Sequence, residues 1–238
     1  MEEFLATNGV QYEHHDLLTD EAAREDLKSR GVLSAPVTII DGTEVIIGYY
    51  PKKLIPALGL DEAPIDLSGR TAWLADKYQR ILRAAARATC ELSAEQLAQT
   101  VQWRPEMLRD TLLHIVSFPE LAYTSRTRGS MNTDDMRACK ESVAHLTTPD
   151  EIAAYAEKVA DDIVDFLNSG DTEGFDRVVP AHYGGEVTVL ELLNIILSHS
   201  THHLKQVYWF MDDQLGQPPK APATAEDMDG IFTPAQLI

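Results

Sequence analysis

The stretch that most constrains this chain is Val187 to Gln214, VTVLELLNIILSHSTHHLKQVYWFMDDQ. It holds no glycine and no proline, and its apolar residues recur with the period of a long amphipathic helix. Each helical residue turns about 100° from the last. Val189, Leu193, Ile196, Ser200, Val207 and Met211 then share one face. His203 falls within that face, His199 at its edge, and His202 turns away from it. Two imidazoles at i, i+4 sit one turn apart, so their ring nitrogens can converge on one metal ion. The competing reading is a hydrogen-bonded histidine pair. Gln206 lies a turn below the pair and favours the metal, which needs a third ligand from elsewhere.

The rest of the chain must bury that helix. At 238 residues it suits one large domain or two small ones. The apolar content of 44% supports a core, yet no run approaches the roughly 20 apolar residues of a membrane span. Met1 is followed by two glutamates rather than a basic and then apolar leader. The expected compartment is therefore the cytoplasm. A net charge of −18 argues against nucleic acid and anionic membranes as partners, because both recruit Lys and Arg. Cys90 and Cys139 form no CxxC and read as buried or free thiols.

Gly9 to Leu60 reads as alternating strand and helix. Val10–Asp16 is a strand candidate, on which His14 and His15 point to opposite faces and cannot share a site. Asp20–Arg30 is a helix with an acidic start, a basic end and Gly31 as its stop. Pro36–Asp41 and Thr43–Gly48 are strands joined at Asp41-Gly42, a hairpin signal. A short helix over Lys52–Leu58 closes the segment.

NGVQYEHHDL, a helix, then SAPVTIIDGTEVIIGYYPKKL resembles the glutaredoxin branch of the thioredoxin fold over residues 2 to 60. Ala35-Pro36 stands where that family places a cis-proline. There the resemblance implies a backbone edge that receives a thiol such as glutathione. The departure is at the start: Met1 falls inside what would be the first helix, so the first strand and CxxC are absent. A start upstream, a closed-up sheet or a second subunit would each fill the gap. A docking or remnant role is favoured over disulfide chemistry.

Residues 61 to 68, DEAPIDLS, read as an interdomain linker. Long helices follow over 69–238. The first spans Ser68–Leu92, and Ser93 with Gln96 forms a capping box after it. Pro105 fits the first turn of the second, which runs to about Ser117, breaks at Pro119 where it can resume, and carries His114 at the edge of its apolar face. Ser125–Thr148 reads as an irregular excursion with one helical turn. Thr148 or Thr147 caps the third long helix, Pro149–Asn168, which ends at Gly170. Phe175–Tyr183 is extended, and the tail after Gln214 carries no long helix.

Four helices that cannot each bury a face alone make a bundle, whose metal sites grow from facing helices. This order of elements resembles the DinB/YfiT-like four-helix bundles. The resemblance rests on LSAEQLAQTVQWRPEM, the lone His114 in LRDTLLHIVSF, HSTHHLKQ from His199 to Gln206, and LGQPP after the last helix. It implies a divalent metal on His114, His199 and His203. Gln206, one helical turn beyond His203, either supports a ligand ring or a bound water or is a plain bundle-surface glutamine. Ala35 and Pro36 are the thiol-binding candidates of the front domain. The fold class expected is α+β: a small glutaredoxin-like α/β domain ahead of an all-α bundle.

Three imidazoles and an open position suit Zn or Ni, and also Fe or Mn. A metal lowers the pKa of a bound thiol or water enough to make a nucleophile near neutral pH. The resemblance implies a thiol-dependent S-transferase or isomerase, or a hydrolase. Its partners would be a small cellular thiol and an electrophilic substrate. The alternative is a non-catalytic metal-binding or stress-associated protein whose front domain serves docking or dimerisation. A homodimer is expected in either case.

Overall fold

The computed structural model describes residues 5–6, 8–17, 19–32, 37–47, 51–60, 67–182 and 185–233. The chain divides into two compact units, Met1–Ile65 and Asp66–Ile238.

In the first unit, helix α1 spans Glu21–Ser29. The Asp20 carboxylate accepts from the Ala23 N–H at 2.9 Å, satisfying one of the donors that a helix start leaves open. Gly31, at φ +72°, turns the chain out of the helix. Strands β1 (Val37–Ile40) and β2 (Glu44–Ile47) form an antiparallel hairpin, with Val37 opposite Ile47 and Ile40 opposite Glu44. Asp41 and Gly42 both take positive φ, as the Asp-Gly signal predicts for a turn that follows strand twist. Helix α2 spans Pro51–Ala57.

The strand expected over Val10–Asp16 does not form. Gln11 to Asp16 are exposed, and the Asp16 carbonyl accepts from the Thr19 and Asp20 N–H groups, so the segment turns into α1 instead of pairing with a strand. The exposed His15 Nδ1 lies 2.7 Å from Asp20 Oδ2. Among the described residues this unit's sheet has two strands. Ala35, Pro36 and most of the 61–68 segment lie outside the described residues.

The second unit opens with a 3₁₀ turn, Ser68–Arg70, and then helix α3, Thr71–Cys90. Leu74, Tyr78, Ile81, Leu82 and Ala85 are buried at helical spacing. Ser93 and Gln96 make the expected capping box at the short α4, Ala94–Leu97. Helix α5 spans Leu108–Arg128. It starts later than Pro105 suggests because the preceding loop folds back on itself. Val101 N–H donates to the Glu106 carbonyl at 3.0 Å, and Leu108 N–H to the Gln99 carbonyl at 2.9 Å.

Helix α5 also runs through Pro119 without a break, against the expectation of an interruption. Proline lacks the N–H that would bond the carbonyl four residues back. That carbonyl belongs to Ile115, and the Ser200 hydroxyl donates to it at 2.9 Å. The gap is thus filled from another helix.

Residues 129 to 148 are more regular than their polarity predicts. Helix α6 spans Thr133–Val143, capped by Asn132, whose side chain accepts from Asp134 and Asp135 N–H. It buries Cys139, whose Sγ lies 3.4 Å from the Ser117 carbonyl. Helix α7, Pro149–Asn168, has the expected Thr148 cap reciprocated by Glu151. The short α8 covers Thr172–Asp176. A second hairpin pairs β3 (Val178–Ala181) with β4 (Gly185–Thr188), Val178 opposite Thr188.

That hairpin moves the start of the histidine helix: α9 spans Val189–Trp209, because Val187 and Thr188 are taken by β4. Thr188 caps it and Glu191 completes the box. The Phe210–Gln214 end is a π-turn, in which Leu215 N–H reaches the Phe210 carbonyl at 3.1 Å. Helices α3, α5, α7 and α9 form the bundle; α3 packs chiefly on α7, and α5 chiefly on α9. The Tyr78 hydroxyl, fully buried, donates to the Leu193 carbonyl at 2.6 Å and pins α3 to α9.

The tail from Leu215 onward runs back along α3 and α9. The buried Lys77 ammonium donates to the Glu226 carbonyl at 2.8 Å, and Arg87 to the Ala221 carbonyl at 3.2 Å. Ser198 donates to the Phe232 carbonyl. Arg80 pairs with Asp227, which completes the capping box that Thr224 makes at the short α10, Ala225–Met228.

Candidate metal centre

His114 lies in the second turn of α5, His199 at the middle of α9 and His203 one turn further along it. The two helices run antiparallel side by side, which brings the three rings together. The Ser200–Ile115 bond fixes the register one residue beyond the His199–His114 pair.

The three rings form one cluster. His114 lies with its centroid 4.9 Å from those of both His199 and His203, which are 4.6 Å apart. One nitrogen from each ring falls within 4.8 Å of the others. His114 Nε2 and His199 Nε2 are 2.7 Å apart. Among the described residues, this is the one group of three or more His, Cys, Asp or Glu side chains placed to hold a metal ion. Tetrahedral zinc, with Zn–N of about 2.0–2.1 Å, sets its ligand nitrogens about 3.3 Å apart. From separations of at most 4.8 Å, that spacing needs the rings to close by no more than about 1.5 Å.

Electrostatics keep the rings neutral. Burial pushes His114 and His199 well below the ordinary imidazole range; the charges of His203 and Arg104 add to it at both rings, and that of His199 adds to it at His114. Burial, then Arg104, pushes His203 down to about 3, against a smaller opposing effect of Gln206. A neutral imidazole offers one lone pair, which is what a metal takes. Gln206 Oε1 lies 2.6 Å from His203 Nδ1. An amide oxygen accepts, so Nδ1 carries the proton and the Nε2 lone pair is left for the cluster. Gln206 is itself buried.

Phe118 completes the wall. Its ring lies 3.8 Å from that of His114 and stacks on His199 at an interplanar angle of 17°. It belongs to the apolar face expected of α5; its contact with the histidines depends on which helix α5 faces. His202 stays outside the three-nitrogen group, as its turn on the helix predicts. Trp103 packs edge-on against Trp209 and Phe210, and the Tyr208 hydroxyl accepts from Ala223 N–H at 2.9 Å. Cys139 is no nucleophile for this site, since burial first, and then Glu120, raise its thiol to about 11.

Helix order, antiparallel α5–α9 packing and three convergent imidazoles define a helical bundle with a cluster fit to hold a metal ion. The chain belongs to the DinB superfamily: that family's model matches residues 77–207, more than half of the chain and all of the cluster. The glutaredoxin family model matches residues 1–45. Comparison with curated proteins and with solved structures returned no match. No helix among the described residues is long and apolar enough to cross a membrane.

Proposed function

We propose that His114, His199 and His203 hold one divalent metal, zinc or nickel first, in an enzyme that transfers a thiol to an electrophile. The observation that carries this reading is the convergence of three neutral imidazole nitrogens, one of them set by Gln206. When bound, the ion supplies Lewis acidity that lowers the pKa of a thiol or water in its open position. Gln206 orients His203, Phe118 excludes water from two ligand rings, and Ser200 holds the register between the two ligand-bearing helices. The glutaredoxin match supports a thiol over water as the attacking group.

The test has two stages. The protein, purified without added metal or chelator, is analysed for metal content beside His199→Ala/His203→Ala. Near one equivalent in the parent and none in the variant is expected. No uptake by the parent, even with zinc and nickel supplied, overturns the site. The loaded protein is then assayed with 2-mercaptoethanol and 1-chloro-2,4-dinitrobenzene. A C–S bond forms, chloride leaves, and the thiol proton passes to solvent. Metal without turnover across a panel of thiols and electrophiles leaves the non-catalytic reading.

A further inference from the structure

Arg104 is, among the described residues, a cation without a partner in a chain of net charge −18. Among the described residues its guanidinium has no ion pair, hydrogen bond or ring contact, a state shared only with Arg177 ahead of β3. The other arginines are occupied, by carboxylates at Arg80, Arg83 and Arg128 and by a tryptophan ring at Arg70.

The loop that carries Arg104 is fixed at the histidine end of the bundle. A bridge between Thr100 and Met107 closes its base, and Glu106 N–H donates to the Arg104 carbonyl at 2.8 Å across its tip. Glu106 accepts from Thr111, one turn ahead of His114, at 3.1 Å. On the other side Trp103 packs on Trp209 and Phe210, beyond His203. The loop thus spans the ends of both ligand-bearing helices. In keeping with this, Arg104 bears electrostatically on His114, His199, His202 and His203. Trp103 Nε1, next to it, is a buried donor with no acceptor.

A positive charge beside a cation site works against metal binding. It is tolerable where the ligand that joins the metal is itself negative. We propose that Arg104 anchors a carboxylate on the ligand that enters the histidine cluster, so that the substrate is a small carboxylate-bearing thiol. This rests on the metal–thiol reading above. A planar guanidinium matches a carboxylate with two parallel N–H···O bonds. One uncompensated positive charge matches one negative charge, and a phosphate dianion would meet more repulsion from so acidic a chain.

The test is calorimetric titration of the zinc-supplied full chain with 3-mercaptopropionate, 2-mercaptoethanol and propionate, for the parent, Arg104→Gln and Arg104→Lys. Arg104 is exposed, which limits the effect to about fivefold, the upper end for a solvent-screened pair. The parent should bind 3-mercaptopropionate about fivefold more tightly than Arg104→Gln does, with Arg104→Lys between them. The preference should shrink as salt is raised, and 2-mercaptoethanol should bind parent and variant alike. Equal affinity of parent and Arg104→Gln for 3-mercaptopropionate overturns the anchor, as does absence of binding by all three probes. Arg104-dependent binding of propionate with no binding of 2-mercaptoethanol keeps the anchor and removes the thiol reading instead.

Discussion

Ser200→Ala should cost more stability than the loss of an ordinary buried serine, and the reason lies in another helix. Ser200 and Ile115 are both fully buried, and the Ser200 hydroxyl donates to the Ile115 carbonyl at 2.9 Å. In any other helix that carbonyl would take the N–H of residue 119, but Pro119 has none. Removing the hydroxyl therefore strands a buried acceptor, at a cost of about 1–3 kcal/mol rather than the net value of about 1 for an ordinary hydrogen bond. Pro119→Ala restores the helical donor. In that background Ser200→Ala should cost less than about 0.5 kcal/mol, giving a coupling of about 1–2 kcal/mol in the double-mutant cycle. Urea denaturation of the four proteins, with equal slopes, measures it. Equal cost of Ser200→Ala in both backgrounds would refute the assignment of the hydroxyl to the proline gap.

Three further outcomes follow from the cluster. Gln206→Leu removes the acceptor that sets the His203 tautomer and should weaken zinc about 10- to 100-fold in a chelator competition, with the helix content unchanged. Unaltered zinc affinity would mean that Gln206 only packs. For the metal-free chain, the histidines are held below their unfolded value of about 6.5, with His203 at about 3. The unfolded state therefore takes up protons first, and stability present above about pH 6.5 falls as pH drops from 7 toward 5. The urea midpoint should fall accordingly, and less steeply in His114→Gln/His199→Gln/His203→Gln; parallel profiles would contradict the burial argument. Zinc addition should raise the melting temperature of the parent in proportion to the logarithm of free metal, and a chelator should reverse it. The triple variant should not respond.

What the residues betray in advance is what local chemistry decides. The i, i+4 pair His199/His203, the apolar stripe around it, the Ser93 and Thr148 boxes and the Asp41-Gly42 turn all depend on neighbours within four positions. Misreadings gather where a distant partner decides. Pro119 looks like a break until Ser200, far along the chain, supplies the missing donor. Val187 and Thr188 fit a helical period, yet they pair with Val179 and Val178. Val10–Asp16 reads as a strand but joins no ladder among the described residues. Helix α6 was within reach. Its Asn132/Asp135 box and its Met136, Cys139 and Val143 spacing are local, though masked by the polar residues between. Arg104 is conspicuous only once the other arginines, Arg177 apart, have been matched to their partners.

The tail fastens to the bundle in a way that bears on how the sequence can drift. At Lys77, Arg87 and Ser198 the donors are bundle side chains, and the acceptors are the main-chain oxygens of Glu226, Ala221 and Phe232. Every residue type supplies that oxygen. Substitutions along the tail should therefore accumulate with little effect at these three points, while a change at Lys77 removes a clasp that no residue in the tail can replace. Related chains should accordingly keep the bundle's donors and vary freely in the strand of tail that they hold.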